Sequence, residues 1–178
     1  MTIRAAQIGG IESKLPVRLL QPEMYQPLVD ATYSAIAAQL RSALPSATVE
    51  HIGSSAVPGA ISKGDLDVYV AVRSDEFLQA VEILRGLGFR DKTDTLRTEQ
   101  LYPFTGDGFP IDVGLQLVER GSRFEFFRRF RDLLKSDSEL LERYNQLKLH
   151  AASLDDDAYR ALKSSFIEAI LGAADSTE

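Results

Sequence analysis

Residues 65–72, Asp-Leu-Asp-Val-Tyr-Val-Ala-Val, constrain this chain more than any other stretch. Side chains alternate across a strand, so Leu66, Val68, Val70 and Val72 face one way while Asp65, Asp67 and Tyr69 face the other. The apolar face demands a sheet laid on a core. The opposite face presents two carboxylates that repel each other unless a cation sits between them, and magnesium suits such oxygen ligands. Residues 111–118 repeat the arrangement, with Ile111, Val113, Leu115 and Leu117 on one face and Asp112, Gly114 and Gln116 on the other. A strand that carries acids beside a core needs a reason, and metal binding supplies one.

The remaining pattern alternates helix and strand. Val29, Tyr33, Ile36, Leu40 and Leu44 recur at helical spacing, predicting a helix from Pro27 to Leu44 that Pro45 ends. Thr48 to Ile52 reads as a short strand running into Gly53-Ser54. Ser74 is placed to cap a helix through Phe77, Leu78, Val81 and Leu84, stopping at Gly86 or Gly88. Residues 1–22 read as partly irregular, and 89–105 as short strands and a loop. Three helices are expected at about 122–135, 137–152 and 156–173. No repeat or linker divides the chain, so the expectation is one α+β (or α/β) domain over residues 1–178, a small mixed sheet covered by helices with a helical C-terminal half.

Composition narrows the function. A formal net charge of -6 argues against broad nucleic-acid or anionic-lipid binding, without excluding a local basic groove. The absence of cysteine removes disulfides, thiolate nucleophiles and cysteine-ligated zinc. No apolar run is long enough to span a bilayer, and Met1 to Leu20 shows no secretory signal, so the cytoplasm is the expected location.

Ten residues separate Gly53-Ser54 from Asp65. Gly53 lets backbone approach a triphosphate closely, Ser54 and Ser55 offer hydroxyl and amide donors, and Lys63 adds positive charge. With Asp65 and Asp67 as metal ligands and Asp112 as third ligand or general base, these are the parts of a two-metal site for phosphoryl or nucleotidyl transfer. Two ions about 3.5–4 Å apart would stabilise the attacking and leaving oxygens. His51 is expected to hydrogen-bond neighbouring backbone rather than phosphate. Arg120, Arg123, Arg128, Arg129 and Arg131 form the densest basic cluster, expected as a solvated helix face rather than a triphosphate grip. Phe126, Phe127 and Phe130 are expected in the core rather than as base-stacking platforms.

The segment Glu50-His51-Ile52-Gly53-Ser54-Ser55-Ala56-Val57-Pro58-Gly59 resembles the signature of the GrpB-like family. Phe130-Arg131-Asp132, Tyr144 to Lys148, and Tyr159, Lys163 and Phe166 are similar to its C-terminal motifs. The resemblance implies a nucleotidyltransferase fold of the DNA polymerase β type. It also puts Lys148, Tyr159 and Lys163 beside the nucleotide. Many relatives have a single Asp where this chain has Asp65-Leu66-Asp67, and a His-x-His strand where it has Gly114-Leu115-Gln116. The complete acidic pair, with Asp112 in the third-carboxylate position, makes this chain look more like an active transferase than a typical relative.

The expected function is therefore magnesium-dependent transfer of a nucleoside monophosphate from an NTP, with ATP the expected nucleotide, to an unknown acceptor. Two magnesium ions are expected, with manganese as a substitute. The alternative is a catalytically silent nucleotide-binding or protein-interaction module of the same fold. Hydrolysis of a phosphate ester by the same metals is a weaker third reading, and a homodimer is left open.

Overall fold

The computed structural model describes residues 17–175. The expected irregular N-terminal stretch lies, up to residue 16, outside the described residues. Helix α1 (Pro22–Ala43) starts a turn and a half earlier than Pro27 suggested, with Pro22 in its first turn and Pro27 inside it. A proline at the start of a helix costs no hydrogen bond, whereas Pro27 removes one. Burial of Tyr25, whose hydroxyl donates to Ala60 O at 2.7 Å, anchors the additional turn to the rest of the fold.

Five strands form one mixed sheet: β1 (Thr48–Ile52), β2 (Leu66–Val72), β3 (Phe89–Asp91), β4 (Leu101–Gly106) and β5 (Val113–Glu119), in the order β1-β2-β5-β4-β3. Strands β2 and β5 are parallel, and the other neighbours are antiparallel. A parallel pair requires a crossover. Here it runs through helix α2 (Phe77–Gly86) and the β3–β4 hairpin, so the stretch ambiguous in sequence builds the far edge of the sheet. Ser74 is not the cap of α2. It begins a short 3₁₀ turn (Ser74–Glu76), where the Glu76 carboxylate accepts the Arg73 backbone N–H at 3.3 Å.

One sheet face packs on α1 and α2, around Leu66, Val68, Val70, Val72, Leu115 and Leu117 from the strands and Val29, Ile36, Leu40 and Leu84 from the helices. The acidic face is also covered. After a 3₁₀ turn at Arg123–Glu125, helices α3 (Phe126–Ser136), α4 (Ser138–Ala151) and α5 (Asp156–Asp175) fold back across it. Phe124 packs with Tyr69 and Val118, and Phe130, Leu134 and Tyr144 pack with Val57 and Ala60. Helix α4 begins at a true cap, the Asp137 carboxylate accepting the N–H groups of Glu139 and Leu140. Among the described residues no helix is long and apolar enough to cross a membrane.

Candidate nucleotide and metal site

The site forms where β1 ends and β2 begins. Ile52 pairs with Asp67, and the chain then turns sharply at Gly53, with φ +76°, into a 3₁₀ turn over Ser54–Ala56. That turn brings Gly53 backbone against the Asp67 carboxylate: a Cβ on Gly53 would lie 2.4 Å from Asp67 Oδ2. From the other side a Cβ on Gly114, the β5 partner of Asp67, would lie 3.0 Å from Oδ1. Asp67 therefore sits between two bare stretches of backbone.

Asp65 is positioned by a relay. The Ser55 hydroxyl donates to Asp65 O at 2.8 Å, so its oxygen accepts from His51 Nε2 at 3.0 Å. The Ser62 hydroxyl reaches Asp65 Oδ1 at 3.2 Å. Ser55 is buried and spends its hydroxyl on the strand, which corrects its expected role at phosphate. His51, stacked on Tyr33 at 5.1 Å between ring centroids, bonds through its ring to the Ser55 hydroxyl and not to the neighbouring backbone expected. Burial lowers its pKa to about 4; Asp30 opposes that shift, while Lys135 and Arg131 add to it. The unfolded chain takes up this proton near 6.5, so stability is expected to fall as pH drops from about 6.5 to about 4. An NMR titration should show His51 neutral throughout pH 5.5–8; a midpoint near 6.5 would count against the relay.

The two carboxylates open into a cleft enclosing about 170 Å³. Gly53, Ser54, Lys63, Asp65, Asp67, Gln116, Tyr159 and Lys163 contribute to its lining, and Phe126, Phe127, Phe130, Leu134 and Ile167 form an apolar wall. Engineered cavities of about 150 Å³ accept benzene, so this space suits one ring system, with charged parts of a ligand at the acidic mouth. Burial, and then the charge of Asp65, push the Asp67 pKa up to about 7 against the pull of Lys163, Lys92 and Lys63. Burial opposes the charge on Lys163, but Tyr144, Tyr159, Asp65 and Asp67 around it hold its pKa above the usual lysine value. Two ammonium groups approach the Tyr159 ring, Lys63 Nζ at 4.9 Å and Lys163 Nζ at 5.4 Å from its centroid.

Other expected site residues fall elsewhere. Lys148 is wholly buried beneath the Ser54 turn, donating to Ile61 O and to Ser54 Oγ at 3.4 Å, with Tyr144 at 4.4 Å. Burial, and then repulsion from Lys163, lower its pKa to about 7. It supports the turn and does not line the cleft. Asp112 is exposed, one residue before β5. It lies in a shallow depression with Met24, Lys63 and Asp65, outside the cleft, and its carbonyl accepts the Leu66 N–H at 2.9 Å. The three aspartates are not gathered, and among the described residues no group of three or more His, Asp or Glu could hold a metal ion. Asp65 and Asp67 are the two carboxylates that line the cleft.

Phe126, Phe127 and Phe130 pack against the core as expected and also line the cleft. One further expectation is corrected. Arg131 is buried rather than solvated, donating to His51 O at 2.8 Å and pairing with Glu50 at 2.7 Å. Gln116 is the polar residue that sequence reasoning passed over, although the alternation of residues 111–118 had already put it on the acidic face.

Comparison with known proteins bears on the family and the fold. The model of the GrpB protein family matches residues 20–173. A UPF0157 protein of Vibrio cholerae is 42% identical over 158 residues, covering 89% of this chain and 84% of that protein. The crystal structure of a conserved GrpB protein from Enterococcus faecalis aligns with a TM-score of 0.63 at 17% identity, over 86% of this chain and 99% of that one. A Cid1 poly(U) polymerase structure bound to MgATP aligns with a TM-score of 0.50 at 19% identity, over 76% of this chain and 42% of that one. Likeness at this level establishes the nucleotidyltransferase-like fold.

Proposed function

The chain belongs to the GrpB family, and on that premise we propose that its cleft binds a nucleoside triphosphate with a divalent cation and transfers the nucleoside monophosphate to an acceptor. One observation carries this reading: Asp65 and Asp67 share a cleft with Lys63, Lys163 and an aromatic wall, at a glycine turn where backbone is bare. Asp65 and Asp67 would hold the cation, which when bound neutralises phosphate charge. Gly53 and Ser54 would meet phosphate oxygens, with Lys63 and Lys163 balancing their charge. The base would lie against Phe126 and Phe127, whose faces stack on any base without selecting one. Magnesium is the expected cation, since hard carboxylate oxygens suit it, and manganese can replace it. In the transfer an acceptor hydroxyl oxygen bonds to the α-phosphorus, the bond to the leaving pyrophosphate breaks, and the hydroxyl loses its proton.

Nucleotide binding without turnover is the second reading. It is favoured by the position of Asp112, which leaves the cleft without the third carboxylate expected to take that proton.

Calorimetric titration of the four NTPs tests the proposal. Magnesium-dependent binding is expected for the wild type, weakened roughly 100-fold or more, about 3 kcal/mol, in Asp65→Ala/Asp67→Ala. A wild type that binds no NTP with any metal sinks both readings. Binding without pyrophosphate release across an acceptor screen selects the second.

A further inference from the structure

Resting on that reading of the cleft, we infer that it holds one divalent cation, not two, and that Gln116 stands as a neutral amide where a second cation would need a carboxylate. A second dication beside the first adds two positive charges, which further anionic ligands such as a third carboxylate offset.

On β5 the parallel register sets Asp67 beside Gly114 and Tyr69 beside Gln116. Residues 112, 114 and 116 therefore share the acidic face. Asp112 lies outside the cleft and exposed. Gly114 has no side chain, and a Cβ there would come within 3.0 Å of Asp67 Oδ1. That leaves Gln116, which does line the cleft and carries no charge.

On β1 the register sets Ile52 beside Asp67 and Glu50 beside Tyr69, so Glu50 is the one acid on the corresponding face. Its carboxylate is bound at 2.7 Å by Arg131 and at 3.5 Å by Arg128, and it does not line the cleft. The helices add aromatic and basic groups there but no acid. With two anionic side chains the cleft matches one dication. The Gln116 amide oxygen can ligate a cation, but it cannot offset a second double charge.

The consequence is chemical. A nucleotide can enter with its own cation, while a second ion to activate an acceptor hydroxyl finds no third carboxylate in the cleft. Transfer in this chain then depends on the acceptor, or on a base brought by a partner, to remove the hydroxyl proton. Gln116 is accordingly the position that separates nucleotide binding from two-ion catalysis.

Equilibrium dialysis of the full chain against Mn2+ and a non-hydrolysable ATP analogue tests this, with metal and nucleotide both counted on the protein side. One Mn2+ per bound nucleotide is expected for the wild type. Gln116→Asp and the longer Gln116→Glu should take up a second, each checked for a wild-type-like melting transition. Two Mn2+ per nucleotide in the wild type, or loss of an ion in Asp112→Asn, overturns the inference while leaving the cleft as a nucleotide site. A count that stays at one in both folded Gln116 variants overturns the role given to that position. Failure of the wild type to bind the analogue with metal overturns the nucleotide-site reading and this inference together.

Discussion

Gly53→Ala is expected to cripple nucleotide binding and destabilise the fold by about 2–6 kcal/mol. Two separate penalties add. The backbone at Gly53 has φ +76° and ψ -172°, a conformation essentially confined to glycine that costs an L-residue about 1–3 kcal/mol. The added methyl would also lie 2.4 Å from Asp67 Oδ2, and overpacking of this kind costs about 1–3 kcal/mol. Relief can come only if the Asp67 carboxylate swings away or the β1–Ser54 turn opens, and either movement dismantles the proposed cation site. Urea denaturation and magnesium-dependent NTP titration of the same variant should therefore fail together. Wild-type stability in Gly53→Ala would mean that the turn is not held against Asp67. Gly121→Ala provides the contrast: it shares a positive φ of 81°, but its Cβ would meet nothing within 4 Å, so the backbone penalty alone is expected.

Asp67→Asn is expected to act in the opposite direction on stability. In the folded chain burial and the charge of Asp65 push the Asp67 pKa up to about 7 from an ordinary 3.8. The native state thus binds this proton more tightly than the unfolded chain. The contribution is present below about pH 4 and lost as pH rises through about 7. Asparagine carries no charge to bury, so the variant should be more stable above about pH 7, by about 1–3 kcal/mol after allowance for coupling to Asp65. Below about pH 4 the two proteins should melt alike. Magnesium should raise the melting temperature of the wild type at pH 8 and leave the variant's unchanged. An Asp67→Asn protein that is less stable than wild type at pH 8 would show that the carboxylate is not held at an electrostatic cost.

On the proposed reading, stability lost to the Asp67 charge would be recovered when a cation binds between Asp67 and Asp65. Lys148 shows a related economy: an ammonium side chain taken wholly out of water is spent on Ile61 O and Ser54 Oγ, beneath the turn it supports.

Much of this was legible in the amino-acid order because it depends on local periodicity. The alternation of residues 65–72 and 111–118 identified two strands, their buried faces and the acid pair, and all of these stand in the structure. The helical half from residue 122 onward followed from spacing as well. Strands β3 and β4 were legible only as short strands and a loop over 89–105, without bounds or order: three residues are too few for β3 to carry a period, and pairing alone sets both at the far side of the sheet. The start of α1 was misplaced because two prolines both suit a first turn, and only the packing of Tyr25 chooses between them.

The sequence by itself determined which residues are acidic, which face of each strand is apolar, and that Asp65 and Asp67 point the same way. Only tertiary structure decided which of Asp112, Gly114 and Gln116 enters the cleft. Alternation assigns all three to one face, and the position along β5 at which β2 pairs and α3 to α5 cover the sheet selects among them. The same holds for Ser55, Lys148, Arg131 and Phe126, each of a type that suits either a ligand or the fold. Their roles follow from partners far away in the chain, such as Ser54 for Lys148 and Glu50 for Arg131. Periodicity is a property of neighbours, whereas a site is a meeting of distant segments.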